Sequence, residues 1–359
     1  MSKKRFVKLR ELNRQRNYAM KQFRLWLARL LFDKKTRETF RLDGIKSVLL
    51  LRDDDKIGDM IVSTSLIREL ATSGYIVDVL CGAHNAQVIT HNPYVNNIIT
   101  APSDLQEKLS LANQFAEKKY DLVIDMGDKI SPFHLRFLRK INAKNVVGFN
   151  KEKYNLYNLS LSYKGFDRHI TDRYLALMQA INIATPSINY DYFIPDRVMQ
   201  DVTTFLQSLP GQQTIVINPY TADNRRDISQ QQLHLIVSCL KERYAGVNII
   251  LIGSAERIQA LKLEDIYINP FSSLESAAAL IQHASLIISP DTAIVHLAAV
   301  WKKPLVCLYG NDMHGAFINS RVWGPGYPEA IQITSEDKHH AISTIAVDDI
   351  MNAAKTLLG

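Results

Sequence analysis

From Gly44 onward, short apolar runs rich in β-branched residues alternate with amphipathic stretches, the rhythm of parallel strand–helix–strand units. Residues 47–51 read as a strand and 60–72 as a helix. Further strands are expected over 76–80, 96–100, 122–125 and 145–148. Residues 190–197 hold a proline and no clear periodicity, so a domain junction is placed there. A second series follows: strands over 214–218, 247–252, 266–268, 286–288 and 304–309, with helices over about 230–244, 273–283 and 292–301. The last stretch, 347–358, reads as a closing helix, expected to pack back on the first domain. The division predicted is an extension over 1–43, one Rossmann-like domain over 44–195 and a second over 196–359. Two such halves place ligands in a cleft beyond the carboxyl ends of their strands.

The extension changes the picture. Phe23, Trp26, Leu27, Leu30 and Leu31 recur at one-face helical spacing, with Arg24, Arg29, Lys34 and Lys35 on the flanks. Residues 1–43 carry 14 Lys and Arg against 4 Asp and Glu, whereas the whole chain is only +7, so the basicity belongs to this segment. Arg29 interrupts the apolar run and no small-residue cleavage site follows, which argues against a signal peptide. Two readings stand: a helix lying at an anionic membrane surface, or one that packs its stripe on the body. No nucleic-acid-binding module is recognisable, so a nucleic-acid partner is not expected.

Composition narrows the class. Charged residues at 22% and hydrophobic ones at 47% fit a soluble globular protein, and no apolar run is long enough for a membrane span. Cys81, Cys239 and Cys307 lie far apart in apolar surroundings, which suits a reducing, cytoplasmic compartment and neither a disulfide framework nor a metal site. The histidines form no ligand spacing either; adjacent His339 and His340 read as solvated. No cofactor is called for. Neither half carries GxGxxG after its first strand or GxxxxGK[ST], which disfavours dinucleotide and P-loop enzymes.

Candidate chemistry lies in four loops that follow strands. The first is Arg52-Asp53-Asp54-Asp55-Lys56-Ile57-Gly58-Asp59-Met60. Gly58 permits a tight turn and a close backbone approach, and Asp59 could accept a proton from an attacking hydroxyl or merely cap the next helix. The second runs from Ser289 through Pro290, Asp291 and Thr292 to His296. A helix start near Thr292 offers N–H groups and partial positive charge to a phosphate, with His296 one turn on. The competing reading makes Asp291 and Thr292 helix caps and His296 a core residue bonded to a carbonyl. The third, from Asn218 to Arg226, gathers Thr221, Arg225 and Arg226, and guanidinium groups suit a departing diphosphate; a solvated polar loop is the alternative. The fourth is Glu256, a ribose contact or simply an acid in a first helical turn. No nucleophile–base pair for covalent catalysis stands out.

In this order and spacing the segments resemble glycosyltransferase family 9, the ADP-heptose:lipopolysaccharide heptosyltransferases. LLLRDDDKIGDMIVSTSLIREL is similar to the family's opening strand, DxxGD turn and helix; YDLVIDMGD resembles a later strand; IISPDTAIVHLAAVWKKPLVCLYG is similar to its most diagnostic stretch. The resemblance spans about Lys46 to Gly310. It implies an α/β GT-B fold, with two Rossmann-like domains facing a central cleft, and inverting, metal-independent transfer of heptose from ADP-heptose to the lipopolysaccharide inner core. It also implies a cytoplasmic enzyme of a Gram-negative bacterium, at the inner-membrane face, with a core glycolipid as acceptor. By this resemblance Asp59 is the catalytic base, Asp291, Thr292 and His296 bind the donor, Thr221 contacts phosphate and Glu256 a ribose. The family's lysine shortly before Trp-Pro is absent; Arg225-Arg226-Asp227-Ile228 stands there, and Arg and Lys differ in geometry. Two alternatives remain: a GT-B enzyme with another nucleotide-sugar, transferase or epimerase, or a non-catalytic protein of the same fold.

Overall fold

The computed structural model describes residues 2–165, 167–261, 263–264, 266–311, 313–314, 317–336 and 341–359. His339 and His340 lie outside them. The chain forms two compact units: Met1–Asp55, Ala71–Ala83 and Val95–Tyr163 in one, Lys56–Leu70, His84–Tyr94 and Lys164–Gly359 in the other. Lys56–Leu70, which carries Asp59, thus groups with the second unit.

The first unit opens with α1 (Ser2–Phe32). Its sheet holds six parallel strands: β1 (Ser47–Arg52), β2 (Ile76–Cys81), β3 (Asn97–Thr100), β4 (Leu122–Asp125), β5 (Asn145–Phe149) and β6 (Leu159–Leu161), in the order β3-β2-β1-β4-β5-β6. β1 is buried from Val48 to Arg52, as a central parallel strand must be. Between β1 and β2 the chain runs through α2 (Ile57–Thr72), which starts three residues before the expected position. α3 (Leu105–Lys118) is capped by Asp104 and α4 (Pro132–Ile141) by Ser131, with Pro132 in its first turn. Both helices end in left-handed residues, Lys119 and Asn142.

α1 resolves the choice left by its pattern in an unforeseen way. It does pack on the first unit, but through Leu25, Ala28 and Phe32, against the core of β1, β4, α3 and α4. The Phe23–Leu31 stripe faces away and is exposed. Past the helix end, the Asp33 carboxylate accepts from the backbone N–H groups of Asn155 (3.0 Å) and Leu156 (2.7 Å), which fixes the root of α1.

At the carboxyl end of β4, Asp125 is fully buried. It accepts bonds from His134 Nε2 (2.9 Å), the Tyr157 hydroxyl (2.5 Å) and Gly127 N (2.9 Å). Lys151 is equally buried and donates to the Asp128 carbonyl at 2.8 Å. Burial alone would raise the Asp125 pKa, but the charges of His134 and Lys151 outweigh it and hold the carboxyl well below the usual range. A group so shifted contributes stability above the ordinary carboxylate pKa and loses it as pH falls. Asp125→Ala takes the neighbouring carboxylate from the buried Lys151 ammonium and the hydrogen-bond partner from His134, and its expected cost is about 3–5 kcal/mol in urea unfolding.

The second unit holds α5 (Thr171–Ala180), α6 (Asp196–Gln207), α7 (Gln230–Arg243), α8 (Ala255–Gln259), α9 (Leu274–His283), α10 (Ala293–Val300), α11 (Asn319–Val322) and α12 (Val347–Leu358). Its sheet is built from β7 (Gln213–Ile217), β8 (Val247–Leu251), β9 (Tyr267–Ile268), β10 (Leu286–Pro290) and β11 (Leu305–Tyr309). A small hairpin, β12 (Met313–His314) with β13 (Phe317–Ile318), and an edge strand, β14 (Ala330–Thr334), follow. The parallel order is β14-β11-β10-β7-β8-β9. Counted within the unit this is again 3-2-1-4-5-6, so each sheet reverses direction between its first and fourth strands, where open α/β sheets bind ligands. The closing helix expected over 347–358 is α12. α12 packs Ile350, Met351 and Ala354 against α7 and the second sheet, because small alanines on that face allow close approach to the unit's own core.

Candidate active site

The reversal point of the second sheet lies between β7 and β10, and side chains close it. Asn218, just past β7, donates through Nδ2 to Ser289 Oγ (3.1 Å) and to Thr292 Oγ1 (3.0 Å) beyond β10. Thr292 is the N-cap of α10, its hydroxyl accepting from Ile294 N at 3.2 Å. One polar cluster therefore joins both strand ends and fixes the start of α10, whose first turn offers N–H groups and partial positive charge.

Asp291 does not cap this helix. Its carboxylate accepts from Arg226 Nη1 (2.9 Å) and Asn319 Nδ2 (2.6 Å). The pair draws Arg226, on a 3-10 turn over Asn224–Arg226, toward α10, and leaves its Nε and Nη2 without a partner among the described residues. Arg225 behaves differently. Its guanidinium forks onto Asp223, two residues earlier, and holds that carboxyl down at about 2. The Arg225 side chain is 71% exposed against 23% for Arg226. The Thr221 hydroxyl is engaged within its loop, donating to the Asp223 carbonyl (2.6 Å) and accepting from Asp223 N (3.0 Å). Its backbone N–H donates to Asp227 Oδ1 at 2.6 Å. Glu256 lies exposed in the first turn of the short α8, which Ser254 caps.

The start of α2 belongs to the same unit. Asp59 is the third residue of that helix and half-buried, so it does not sit at the cap position. Gly58 is helical; the left-handed turn residue is Asp55, at φ 60°. What Gly58 provides is the close approach. A Cβ there would lie 2.9 Å from His296 Cδ2 and 3.7 Å from Ala293 Cα, so the first turn of α2 rests on the first turn of α10. Asp59 thereby lies within electrostatic reach of His296.

His296 is fully buried between Tyr190 and Trp323, both edge-on to its ring at about 6 Å. Burial, with His169 nearby, pushes its pKa down to about 4 despite Asp59, so the ring is neutral at physiological pH. Its Nδ1 has no partner among the described residues. An orphaned buried polar atom costs about 1–3 kcal/mol. His296→Leu is accordingly expected to hold or raise Tm while lowering turnover by about tenfold or more; thermal unfolding and steady-state rates check both halves.

Sequence reasoning named Asp59, Asp291, Thr292, His296 and Arg226, and the structure gathers them around the first turn of α10. It missed Asn319 and the Tyr190–Trp323 enclosure, which come from distant segments without a local motif. A model of glycosyltransferase family 9 (heptosyltransferase) matches residues 108–343, about two thirds of the chain. The chain belongs to this family. A second model, for a family of unknown function, matches residues 21–170. "Putative lipopolysaccharide heptosyltransferase 4" of Escherichia coli (strain K12) is 25% identical over 319 residues, covering 87% of each protein. The glycosyl transferase family 9 structure from Veillonella parvula DSM 2008 matches with a TM-score of 0.74 at 18% identity, over 89% of this chain and 99% of that one. E. coli heptosyltransferase WaaC with ADP-2-deoxy-2-fluoro heptose matches with a TM-score of 0.63 at 18% identity, over 86% and 99%. The protein is thus a family 9 glycosyltransferase of GT-B class, with two parallel-sheet α/β units. Arg225 and Arg226 of this family 9 enzyme take separate paths, one to Asp223 and the other to Asp291.

Proposed function

We propose that this enzyme transfers heptose from ADP-heptose to a sugar hydroxyl of the lipopolysaccharide inner core, with inversion and without a metal ion. The observation that carries the reading is the seating of α2 on α10 through Gly58. It sets the helix turn that carries Asp59 against the first turn of α10, a helix start suited to diphosphate, and Asp291 just before that turn holds Arg226. The heptosyltransferase solved with a fluorinated ADP-heptose has the same fold and supports the donor class.

In this mechanism the diphosphate lies at the first turn of α10, against the Nε and Nη2 edge of Arg226. The acceptor oxygen forms its bond to the anomeric carbon from the face opposite the diphosphate. As the bond to the phosphate oxygen breaks, ADP leaves with the electron pair and Asp59 takes the acceptor proton. Arg226 supplies the positive charge that stabilises the growing negative charge on ADP. Glu256 is the proposed ribose contact. Thr221 acts through its loop, because its hydroxyl is committed to Asp223.

Donor profiling tests the reading. Purified enzyme with a panel of ADP- and UDP-sugars and mixed core glycolipids is expected to release ADP from ADP-heptose alone. Release of UDP would assign it to another nucleotide-sugar. Nucleotide binding with no donor consumed would indicate a non-catalytic binding protein.

A further inference from the structure

The outward stripe of α1 has no role in donor chemistry, and its composition is unusual for a solvated surface. Trp26 is 56% exposed and Leu30 65%, whereas Ala28 on the packed side is 4% exposed. Phe23, Leu27 and Leu31 complete the stripe, and the rings of Phe23 and Trp26 stack at 5.8 Å. At 100° per residue the stripe centres nearly opposite Leu25, Ala28 and Phe32, so one helix carries two apolar faces and only one is used. A contiguous exposed patch of large apolar side chains marks an interaction surface.

The charge of the same helix says what covers it. Between Ser2 and Phe32 stand ten Lys and Arg against one acid, Glu11. A second copy of the chain would bring the same positive charge and be repelled. A nucleic acid would neutralise the charge but leave Trp26, Leu30 and Leu31 in water. A bilayer with anionic headgroups satisfies both: aliphatic side chains enter the acyl boundary, Trp26 sits at headgroup level, and Arg and Lys reach phosphates. No helix of the described chain is long and apolar enough to cross a membrane, so contact is in the plane of the surface.

We propose that α1 docks the enzyme on an anionic phospholipid surface through Phe23, Trp26, Leu27, Leu30 and Leu31. The bond pattern at its root makes this a rigid mount: Asp33 ties the helix end to Asn155 and Leu156, and Arg29 lies 5.8 Å above the Tyr154 ring. The inference stands on α1 alone and does not depend on the donor.

The test is co-sedimentation of the full chain with vesicles of phosphatidylglycerol and phosphatidylcholine, against phosphatidylcholine alone, at low and high salt. Expected is at least tenfold tighter binding to the anionic vesicles, weakened by salt. The double variant Trp26→Glu/Leu30→Glu is expected to lose it by tenfold or more. So is Arg10→Gln/Arg14→Gln/Lys21→Gln/Arg24→Gln. Both variants should keep the wild-type Tm and full rates on a deacylated, water-soluble acceptor, since all six side chains are exposed. Equal binding by wild type and variants would overturn the proposal, as would no vesicle binding at all. So would a dimer dissolved by Trp26→Glu/Leu30→Glu, or salt-sensitive binding to DNA without binding to vesicles.

Discussion

Asp59→Asn is expected to lower the rate of heptose transfer by a factor of about 10²–10⁴, the usual contribution of a general base. ADP affinity should stay within about twofold, because the proposed diphosphate contacts come from α10 and Arg226. The isosteric amide keeps the shape of the α2 start, so the Gly58 seat on His296 survives. What disappears is the proposed acceptor for the hydroxyl proton. Single-turnover rates and calorimetric ADP titration separate the two effects. Retained turnover would remove Asp59 from the chemistry, and lost ADP binding would make it a donor contact.

The second large effect concerns the arginine pair. Arg226→Ala is expected to reduce kcat/KM by about 10²–10³, since it removes a cation held by Asp291 with N–H groups left for the donor. Arg225→Ala should change it by less than about threefold. That side chain is exposed and already bound to Asp223, and such pairs contribute little. Arg226→Lys tests geometry, because a lysine keeps the charge and loses the planar fork. A result in which Arg225→Ala is the damaging change would reverse the assignment.

Much of the fold was legible because buried parallel strands are short apolar runs flanked by polar turns. The expected and observed limits of β1, β4 and β8 differ by a residue at most. The edges were harder. β14 is half-exposed along its length and β6 has three residues, so neither carries a strong pattern. α1 shows how a correct periodicity can mislead: the largest side chains define a stripe, but packing used the smaller face of Leu25 and Ala28. In the site, Gly58 was recognised for close approach but expected in a turn, because glycine signals both and only the backbone distinguishes them. Which of Arg225 and Arg226 turns toward α10 could not be read locally. It depends on Asp291, 65 residues away, which the sheet reversal brings alongside.

The most direct measurement is mass spectrometry of truncated inner-core glycolipids after incubation with the enzyme and ADP-heptose. Expected are the mass of one added heptose on at least one acceptor, equimolar ADP, and initial rates of both products lower by about 10²–10⁴ with Asp59→Asn. Intact donor and unmodified acceptors across the panel, from enzyme that still binds ADP, would contradict it.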